Sequence, residues 1–154
     1  MSNFYEELCS YSHLIFEDWN VSIERQSSQL KNIIELNWSQ HKTILDVSCG
    51  IGTQTIDLSQ KDYQLIVFDI SVNEIERARK EAQQRRQTNI SFSVCHMITA
   101  FAHHSSNFDT VISCDNLISH LLSDKDFFLA LKKIYSCLRP GDGCLITIRD
   151  YDRK

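Results

Sequence analysis

The chain has 154 residues, of which 42% are hydrophobic and 23% are charged, and its formal net charge at pH 7 is −4. This length favours a single domain, and this composition is typical of a folded globular protein rather than of a disordered chain or a coiled coil. No stretch approaches the roughly 18–20 apolar residues that a membrane-spanning helix needs. The acidic balance argues against a nucleic-acid-binding surface.

The N-terminus and the cysteines predict a cytoplasmic protein. The first residues include acids where a signal peptide would carry basic residues and an apolar run. The six cysteines form no C-x-x-C pair and are irregularly spaced, so we expect free thiols and no metal site. His103-His104 has no carboxylate or cysteine nearby at ligand spacing, and we interpret the pair as part of a surface loop.

The first half of the chain predicts two helices and then an alternation of strands and helices. Apolar residues recur at helical spacing in the first two segments, and the next strand ends in a loop that contains glycines. The second strand is almost continuously apolar, which is typical of a central strand covered on both faces. In chain order the predicted elements are helices over 4–16 and 20–38, a strand at 43–47, a short helix at 53–60 and a strand at 64–70.

The second half continues this alternation. Ser71 and Glu74 have the spacing of a capping box and predict the start of a helix. Ile90, Phe92 and Val94 alternate with polar residues, which predicts a strand at the edge of a sheet. No element can be assigned over 96–107.

Capping and turn residues mark the boundaries of the last elements. A buried strand is predicted at 109–114, and Ser123 caps an amphipathic helix that Arg139-Pro140-Gly141 ends. Asp142-Gly143 is the predicted turn into a final strand at 144–148. Five strands alternating with helical segments predict an α/β fold, a Rossmann-like doubly wound parallel sheet preceded by two helices.

Ligands of such sheets bind at the carboxyl ends of the strands. Gly50 and Gly52 follow the first strand and allow a sharp turn and a close approach of a ligand, although they also suit a tight turn that binds nothing. Asp69 ends the second strand, 17 residues after Gly52, where a carboxylate suits two ribose hydroxyls. Together these features favour a nucleotide-type ligand.

Two residues discriminate between nucleotide-type ligands. The dinucleotide fingerprint has a third glycine where this chain has Thr55. Asp46 precedes the glycine loop, and a carboxylate there repels a pyrophosphate but attracts an ammonium group. The ligand should therefore carry an adenosine-like ribose and a cationic amino-acid end, and S-adenosylmethionine has both.

Four segments, in order, resemble motifs of the class I S-adenosylmethionine-dependent methyltransferases, and the closest likeness is to the glycine N-methyltransferase-like branch. The first two motifs are represented by ILDVSCGIGTQT and by VFDIS, the ribose-binding motif. The later motifs are represented by CDNLISHLLSD and LRPGDGCLITIRDYD. The resemblance covers residues 5–152. It implies a seven-stranded sheet of order 3-2-1-4-5-7-6, of which this chain supplies 3-2-1-4-5 and lacks the usual 6/7 hairpin.

The resemblance also implies which residues bind the cofactor. Asp69 would bind the ribose hydroxyls, Ile70 would pack on the adenine, and Met97 would contact the adenine with its backbone and side chain. The methionine moiety would be held by Asp46, Ser48, Cys49, Gly50 and Gly52. The methyl-transfer side would be lined by Cys114, Asn116 and His120.

Three further positions complete the implied site. Tyr11 and Arg25, on the N-terminal helices, would close over the cofactor, with Arg25 pairing its carboxylate. His96 departs from the family pattern, because an acid usually stands there and accepts a hydrogen bond from the adenine amino group. A neutral imidazole can also accept through one nitrogen. A solvent-facing loop histidine is the alternative interpretation.

The implied activity is transfer of a methyl group from S-adenosylmethionine to a small-molecule acceptor, for which an amine or amino acid such as glycine or sarcosine is expected. No catalytic residue is assigned, and neither a nucleic-acid nor a membrane partner is expected. A non-catalytic S-adenosylmethionine-binding module and, less favoured, an NAD-dependent oxidoreductase remain alternatives.

The domain prediction is one unit over residues 1–154, with a helical cap over about 1–40 and a cofactor-binding core over about 41–154. The strand at 144–148 would be left as a bare edge, which is a hazard for pairing with other chains. We therefore expect the chain to be a C-terminally truncated version of a longer protein.

Overall fold

Five parallel strands form a single sheet in the order β3-β2-β1-β4-β5. The computed structural model describes residues 7, 9–38, 40, 42–99, 108–148 and 150. The order confirms the predicted Rossmann-like sheet, and it reverses between β1 and β4. The strands are β1 (Thr43–Asp46), β2 (Gln64–Asp69), β3 (Ile90–Val94), β4 (Phe108–Ser113) and β5 (Leu138–Ile146).

Helices connect the strands and cover the sheet. The Ser71 and Ser123 side chains cap α3 and α4 by accepting from the backbone N–H groups of Glu74 and Asp126, as the sequence predicted. No helix in the described part of the chain is long and apolar enough to cross a membrane. The helices are α1 (Trp19–Asn37), α2 (Thr55–Ser59), α3 (Val72–Gln84) and α4 (Asp124–Cys137), with 3-10 helices at Cys9–Ile15 and Leu117–His120.

The N-terminal segment differs from the helix predicted over 4–16. Its described part is a 3-10 helix at Cys9–Ile15. The carbonyl oxygens of Cys9 and Ser10 accept hydrogen bonds from the Arg77 guanidinium on α3, which ties this segment to the domain. Residues 4–6 and 8 lie outside the described residues, as do 100–107, which include His103-His104.

Burial follows the position of each strand in the sheet. Every residue of β4 is buried, and Ile44, Leu45, Val111 and Ile112 on the two central strands have no exposed surface. β3 alternates between half-buried and exposed residues at its start, and it is an edge strand, as its sequence pattern predicted. The core therefore lies around β1 and β4, beneath the point where the strand order reverses.

The last strand begins earlier than the sequence predicted. β5 runs from Leu138, directly after α4, so Arg139-Pro140-Gly141 and Asp142-Gly143 lie within it rather than forming a separate turn. Leu138 pairs with Phe108, and the register shifts before Gly143 pairs with Thr110. Arg139 forms an ion pair with Asp109 on β4, which holds this irregular stretch against the sheet.

Trp38, just after α1, packs directly on the backbone of β5. A Cβ atom added to Gly143 would lie 1.9 Å from Cζ2 of the Trp38 ring. Only glycine leaves room for the indole at this point. The contact joins the N-terminal helices to the last strand of the sheet.

A buried carboxylate holds the loop that follows β1. Asp46 has no exposed surface, and its two oxygens accept from the Ser48 backbone N–H at 3.1 Å and from Thr55 Oγ1 at 2.7 Å. Burial raises the pKa of Asp46 to about 7, although these two hydrogen bonds oppose the shift. The carboxyl group therefore fixes the loop from beneath, and in the folded protein it holds a proton up to about neutral pH.

Replacing Gly143 by alanine should destabilise the fold, because the new methyl group overlaps the Trp38 ring. We expect the free energy of unfolding to fall by roughly 1–3 kcal/mol, which is typical of an overpacked site. Urea unfolding measures this change. The double variant Gly143→Ala/Trp38→Leu should be more stable than the sum of its two single variants predicts. An unchanged urea midpoint for Gly143→Ala would contradict the contact.

The Asp46→Asn variant should change the pH dependence of stability. The folded-state pKa of Asp46 is raised to about 7 from an ordinary value of 3.8, so its contribution to stability is lost as pH rises through this window. We expect Asp46→Asn to gain stability relative to the wild type between pH 5 and pH 8, by at most roughly 3 kcal/mol. Urea unfolding across this range tests the sign, and a relative loss with rising pH would contradict it.

Candidate functional site

A cavity of about 320 Å³ opens at the carboxyl ends of β1 to β4. Its volume lies at the lower end of the range for small-ligand sites. It spans the point where the strand order reverses, which is where doubly wound sheets bind their ligands. The loops after these four strands and the N-terminal segment form its walls.

The loop after β1 approaches the cavity with its backbone. Gly50 and Gly52 have φ values of 51° and 88°, in the left-handed region that favours glycine. A Cβ atom on Gly52 would lie 2.9 Å from Ile56 Cδ1 on α2, so this glycine also permits close packing. Ser48, Cys49 and Gly50 line the cavity.

Asp69, at the end of β2, joins this loop to the start of α3. Its Oδ2 accepts from the Gly50 backbone N–H at 3.0 Å, and its Oδ1 accepts from the Ser71 backbone N–H at 3.0 Å. Ile70 follows and is half exposed, and both residues line the cavity. A carboxylate oxygen can accept more than one hydrogen bond, so Asp69 keeps capacity for hydroxyl groups of a ligand.

The turn after β3 supplies Cys95, His96 and Met97 to the wall. Nδ1 of His96 accepts a hydrogen bond from the Ile98 backbone N–H at 3.1 Å. In the neutral imidazole the proton must then lie on Nε2, which makes Nε2 a donor. The nitrogen that can accept is thus already used within the turn, so toward the cavity the neutral ring offers a donor rather than the acceptor expected in place of the usual acid.

The turn after β4 contains two consecutive residues in the left-handed region. Asp115 and Asn116 have φ values of 57° and 65°. Asp115 N–H donates to Thr147 Oγ1 at 3.0 Å, and Asn116 N–H donates to the Thr147 carbonyl oxygen at 3.2 Å, so the residue directly after β5 fixes this turn. The cavity is lined here by Asp115, Leu117, His120 and Leu121.

The N-terminal segment covers the cavity from above. Ser12, Ile15 and Phe16 line it, and Ser12 Oγ donates to Glu74 Oε1 at 2.9 Å. Glu74 is buried and also lines the cavity. The Glu74 carboxylate is therefore part of the cavity wall, a role that the sequence did not indicate.

The structure brings only part of the predicted site to the cavity. The predicted residues that line it are Ser48, Cys49, Gly50, Asp69, Ile70, His96, Met97 and His120. Those that do not line it are Tyr11, Arg25, Asp46, Gly52, Cys114 and Asn116.

The residues that miss the cavity do so for different reasons. Tyr11 and Arg25 are exposed on the N-terminal helices. Asp46 lies beneath the glycine loop, and its carboxylate is used by Ser48 and Thr55. Cys114 is buried at the end of β4. The predicted contact between Asp46 and a ligand ammonium group is therefore not available in this arrangement.

Several lining residues were missed in the sequence. Ser12, Ile15 and Phe16 carry no motif, and their position depends on how the N-terminal segment folds back. Glu74 was noticed only as a capping residue. Asp115 lies between two residues that were singled out, Cys114 and Asn116, and a carboxylate directly after a buried strand was the available signal.

The cavity is mainly apolar, and its charged lining residues are carboxylates. Asp69, Glu74 and Asp115 all line it. Burial raises the pKa of the Cys49 thiol well above its ordinary value, and the nearby carboxylates Asp46 and Asp69 raise it further. All six cysteines are free thiols, as predicted. Cys49 is thus protonated at neutral pH and poorly suited to act as a nucleophile.

Among the described residues, no group of three or more His, Cys, Asp or Glu side chains is placed to hold a metal ion.

Comparison with known proteins identifies the family. The sequence profile of a methyltransferase domain matches residues 44–141, which is more than half of the chain. A glycine/sarcosine N-methyltransferase of Parasynechococcus marenigrum is 27% identical over 137 residues, which are 88% of this chain and 47% of that protein. The mouse glycine N-methyltransferase is 33% identical over 119 residues, covering 71% of this chain and 41% of the relative.

Two further proteins are also similar to this chain. One has a different named acceptor, and the other is a solved structure of low sequence identity. A ubiquinone biosynthesis O-methyltransferase of Coxiella burnetii is 27% identical over 142 residues, covering 88% of this chain and 58% of the relative. A solved S-adenosylmethionine-dependent methyltransferase of Clostridium acetobutylicum superposes with a TM-score of 0.77 at 16% identity, over 97% of this chain and 58% of that chain.

The chain spans between 41% and 58% of the length of these curated relatives. The matched profile covers β1 to β4, the strands whose ends form the cavity, and the start of β5. Family and fold both agree with the resemblance seen in the sequence motifs. The chain belongs to the class I S-adenosylmethionine-dependent methyltransferases.

Proposed function

We propose that this chain binds S-adenosylmethionine in the cavity and that its domain transfers the methyl group to a small-molecule acceptor. The observation that carries the proposal is Asp69, which closes the glycine loop at the carboxyl end of β2 and lines the cavity. A carboxylate in this position suits the two vicinal hydroxyls of a ribose. Family membership argues against the alternative of an NAD-dependent oxidoreductase.

The adenine lies, in this proposal, on the β3 side of the ribose. Ile70 and Met97 offer apolar surface there. His96 adds a donor, because its Nδ1 is occupied by Ile98 and its Nε2 carries the proton in the neutral ring. His96 therefore fits a ring nitrogen of adenine rather than the exocyclic amino group.

Bound S-adenosylmethionine would supply an activated methyl group on its sulfonium. The protein has to align donor and acceptor and exclude water. Ile15, Phe16, Leu117 and Leu121 line the cavity with apolar surface and provide that exclusion. We expect no general base for an amine that arrives neutral.

The acceptor class that we propose is a small amine or amino acid such as glycine or sarcosine. Support comes from the names of the Parasynechococcus and mouse relatives. The Coxiella relative is an O-methyltransferase, so a hydroxyl acceptor belongs in the same test. Methyl transfer to a panel of glycine, sarcosine and a catechol, followed by the formation of S-adenosylhomocysteine, separates an amine methyltransferase, an O-methyltransferase and a non-catalytic binding module.

Replacing Asp69 by asparagine should weaken cofactor binding strongly. The variant loses the negative charge that would accept from the ribose hydroxyls. Its amide has only one oxygen, so it can replace the carboxylate as acceptor for either the Gly50 or the Ser71 N–H group, but not for both. Hydrogen bonds to charged groups contribute about 1.5–3 kcal/mol, so we expect the Kd for S-adenosylhomocysteine to rise roughly 10- to 100-fold. Isothermal titration calorimetry measures it.

The matched control is Asp62→Asn, which makes the same change at an exposed turn residue outside the cavity. Its Kd should equal that of the wild type. An Asp69→Asn variant that binds with wild-type affinity would remove Asp69 from the ribose site. Binding of NAD in place of S-adenosylhomocysteine by the wild type would contradict the proposed function itself.

A further inference from the structure

Three carboxylates line the cavity, and Glu74 is the most buried of them. Asp69 is half-buried and Asp115 is exposed, whereas Glu74 is only 5% exposed. Among the lining residues that the structure describes, none is a lysine or an arginine. The two lining histidines are His96, whose Nδ1 accepts a hydrogen bond and so carries no proton, and His120, which is exposed. The described part of the wall therefore carries a negative charge.

The position of Glu74 on α3 favours the charged form of its carboxylate and fixes its place. Glu74 lies in the first turn of the helix, where the helix dipole stabilises negative charge. Its Oε1 accepts from Ser12 Oγ at 2.9 Å, in the segment that covers the cavity. Its Oε2 lies 3.7 Å from the point where a Cβ atom on Gly50 would stand. The charge is thus held between the covering segment and the glycine loop, next to the space for a ligand.

The field of these carboxylates acts on the glycine loop. The pKa of the Cys49 thiol is raised well above its ordinary value, first by burial and then by the carboxylates of Asp46, Asp69 and Glu74. A negative charge that disfavours a thiolate favours a cation at the same place. A positively charged ligand atom near this loop is therefore stabilised by the same groups.

Ser48 shows independently that the cavity is shaped for a ligand. Its Oγ is buried and has no hydrogen-bond partner in the described part of the chain, and the residue is only 8% exposed. Buried hydroxyls are nearly always paired, so an unpaired one on a cavity wall indicates a missing ligand atom. The negative wall therefore belongs to a binding site and not to a solvated acidic surface.

The cofactor and its product differ in charge at one atom. S-adenosylmethionine has a positive sulfonium, whereas S-adenosylhomocysteine has a neutral thioether, and the two share all their other charged groups. In methyl transfer, an electron pair of the acceptor forms the new bond to the methyl carbon, and the pair of the broken C–S bond stays on sulfur. The positive charge therefore leaves the sulfur as the product forms.

We propose that Glu74 makes the cavity selective for the sulfonium cofactor over its thioether product, and so favours exchange of the product for new cofactor. This inference rests on the proposed function, and Glu74 acts in it as a specificity-determining residue. A cavity of about 320 Å³ is roughly 8 Å across, and at an effective dielectric constant of about 20 a unit charge at that distance changes a Kd roughly 30-fold. Asp115 adds to the preference, but solvent screens its charge because it is exposed.

Three probes isolate the charge on the ligand. S-adenosylmethionine carries the sulfonium, S-adenosylhomocysteine lacks both the charge and the methyl group, and sinefungin carries an ammonium group in place of the methylsulfonium. Titration calorimetry gives their Kd values for the wild type, Glu74→Gln and Asp115→Asn. Glutamine keeps an oxygen that can accept from Ser12, so Glu74→Gln removes the charge alone. The matched control is Glu76→Gln, the same substitution at an exposed position of α3 outside the cavity.

We expect Glu74→Gln to raise the Kd for S-adenosylmethionine and for sinefungin roughly 10- to 30-fold, while the Kd for S-adenosylhomocysteine stays within about threefold of the wild type. Asp115→Asn should act in the same direction by a smaller factor. Its Oδ1 can still accept from Gln54 Nε2, which donates to Asp115 Oδ2 at 2.6 Å in the wild type. Asparagine also tolerates the φ of 57° at this position. Glu76→Gln should match the wild type with all three probes.

Two results would overturn the inference and leave the proposed function in place. Equal changes, or no change, in the Kd values for S-adenosylmethionine and S-adenosylhomocysteine in Glu74→Gln would show that Glu74 does not distinguish the two charges. A loss of affinity for S-adenosylmethionine without a loss for sinefungin would assign the effect to the methyl group and not to the charge. A wild-type chain that binds none of the three probes would contradict the proposed function, and the inference with it.

Discussion

The carboxylate of Asp69 is the group on which the cavity depends. Its two oxygens hold the backbone N–H groups of Gly50 and Ser71, so one side chain sets the distance between the glycine loop and the start of α3. In the proposed function the same oxygens also accept from the hydroxyls of a ribose. Loop geometry and ligand recognition are therefore coupled, because a ligand that binds Asp69 binds a group already held by the protein.

Two carboxyl groups, buried Asp46 and half-buried Asp69, have different roles around one loop. Asp46 supports the glycine loop from beneath, and because it is desolvated, its pKa rises to about 7. Asp69 lies above the loop in the cavity wall and binds backbone N–H groups on either side. The sequence predicts that both residues lie at strand ends. Only the structure shows that Asp46 supports the loop while Asp69 lines the cavity.

The sheet could be predicted from the sequence because its signals are local. Continuous apolar runs gave the central strands, alternation in Ile90–Val94 gave the edge, and Ser71 and Ser123 marked the helix starts. The site was predicted less completely, because its details depend on contacts between distant residues. The proton position on His96 depends on the Ile98 N–H group. The orientation of the Asp115 side chain depends on a hydrogen bond from Gln54, 61 residues away. At the start of β5, Arg139 forms an ion pair with Asp109, 30 residues away, which no local pattern indicates.

The packing of Trp38 on Gly143 has a consequence for the order of folding. The two residues are about 100 positions apart, and contacts of such long sequence separation slow folding because a large loop must close to form them. On the ribosome, the end of α1 cannot reach its final place until β5 has been made. Until then the Trp38 indole has no Gly143 backbone to pack on. The last strand of the sheet is therefore required before α1 can be fixed at its C-terminal end.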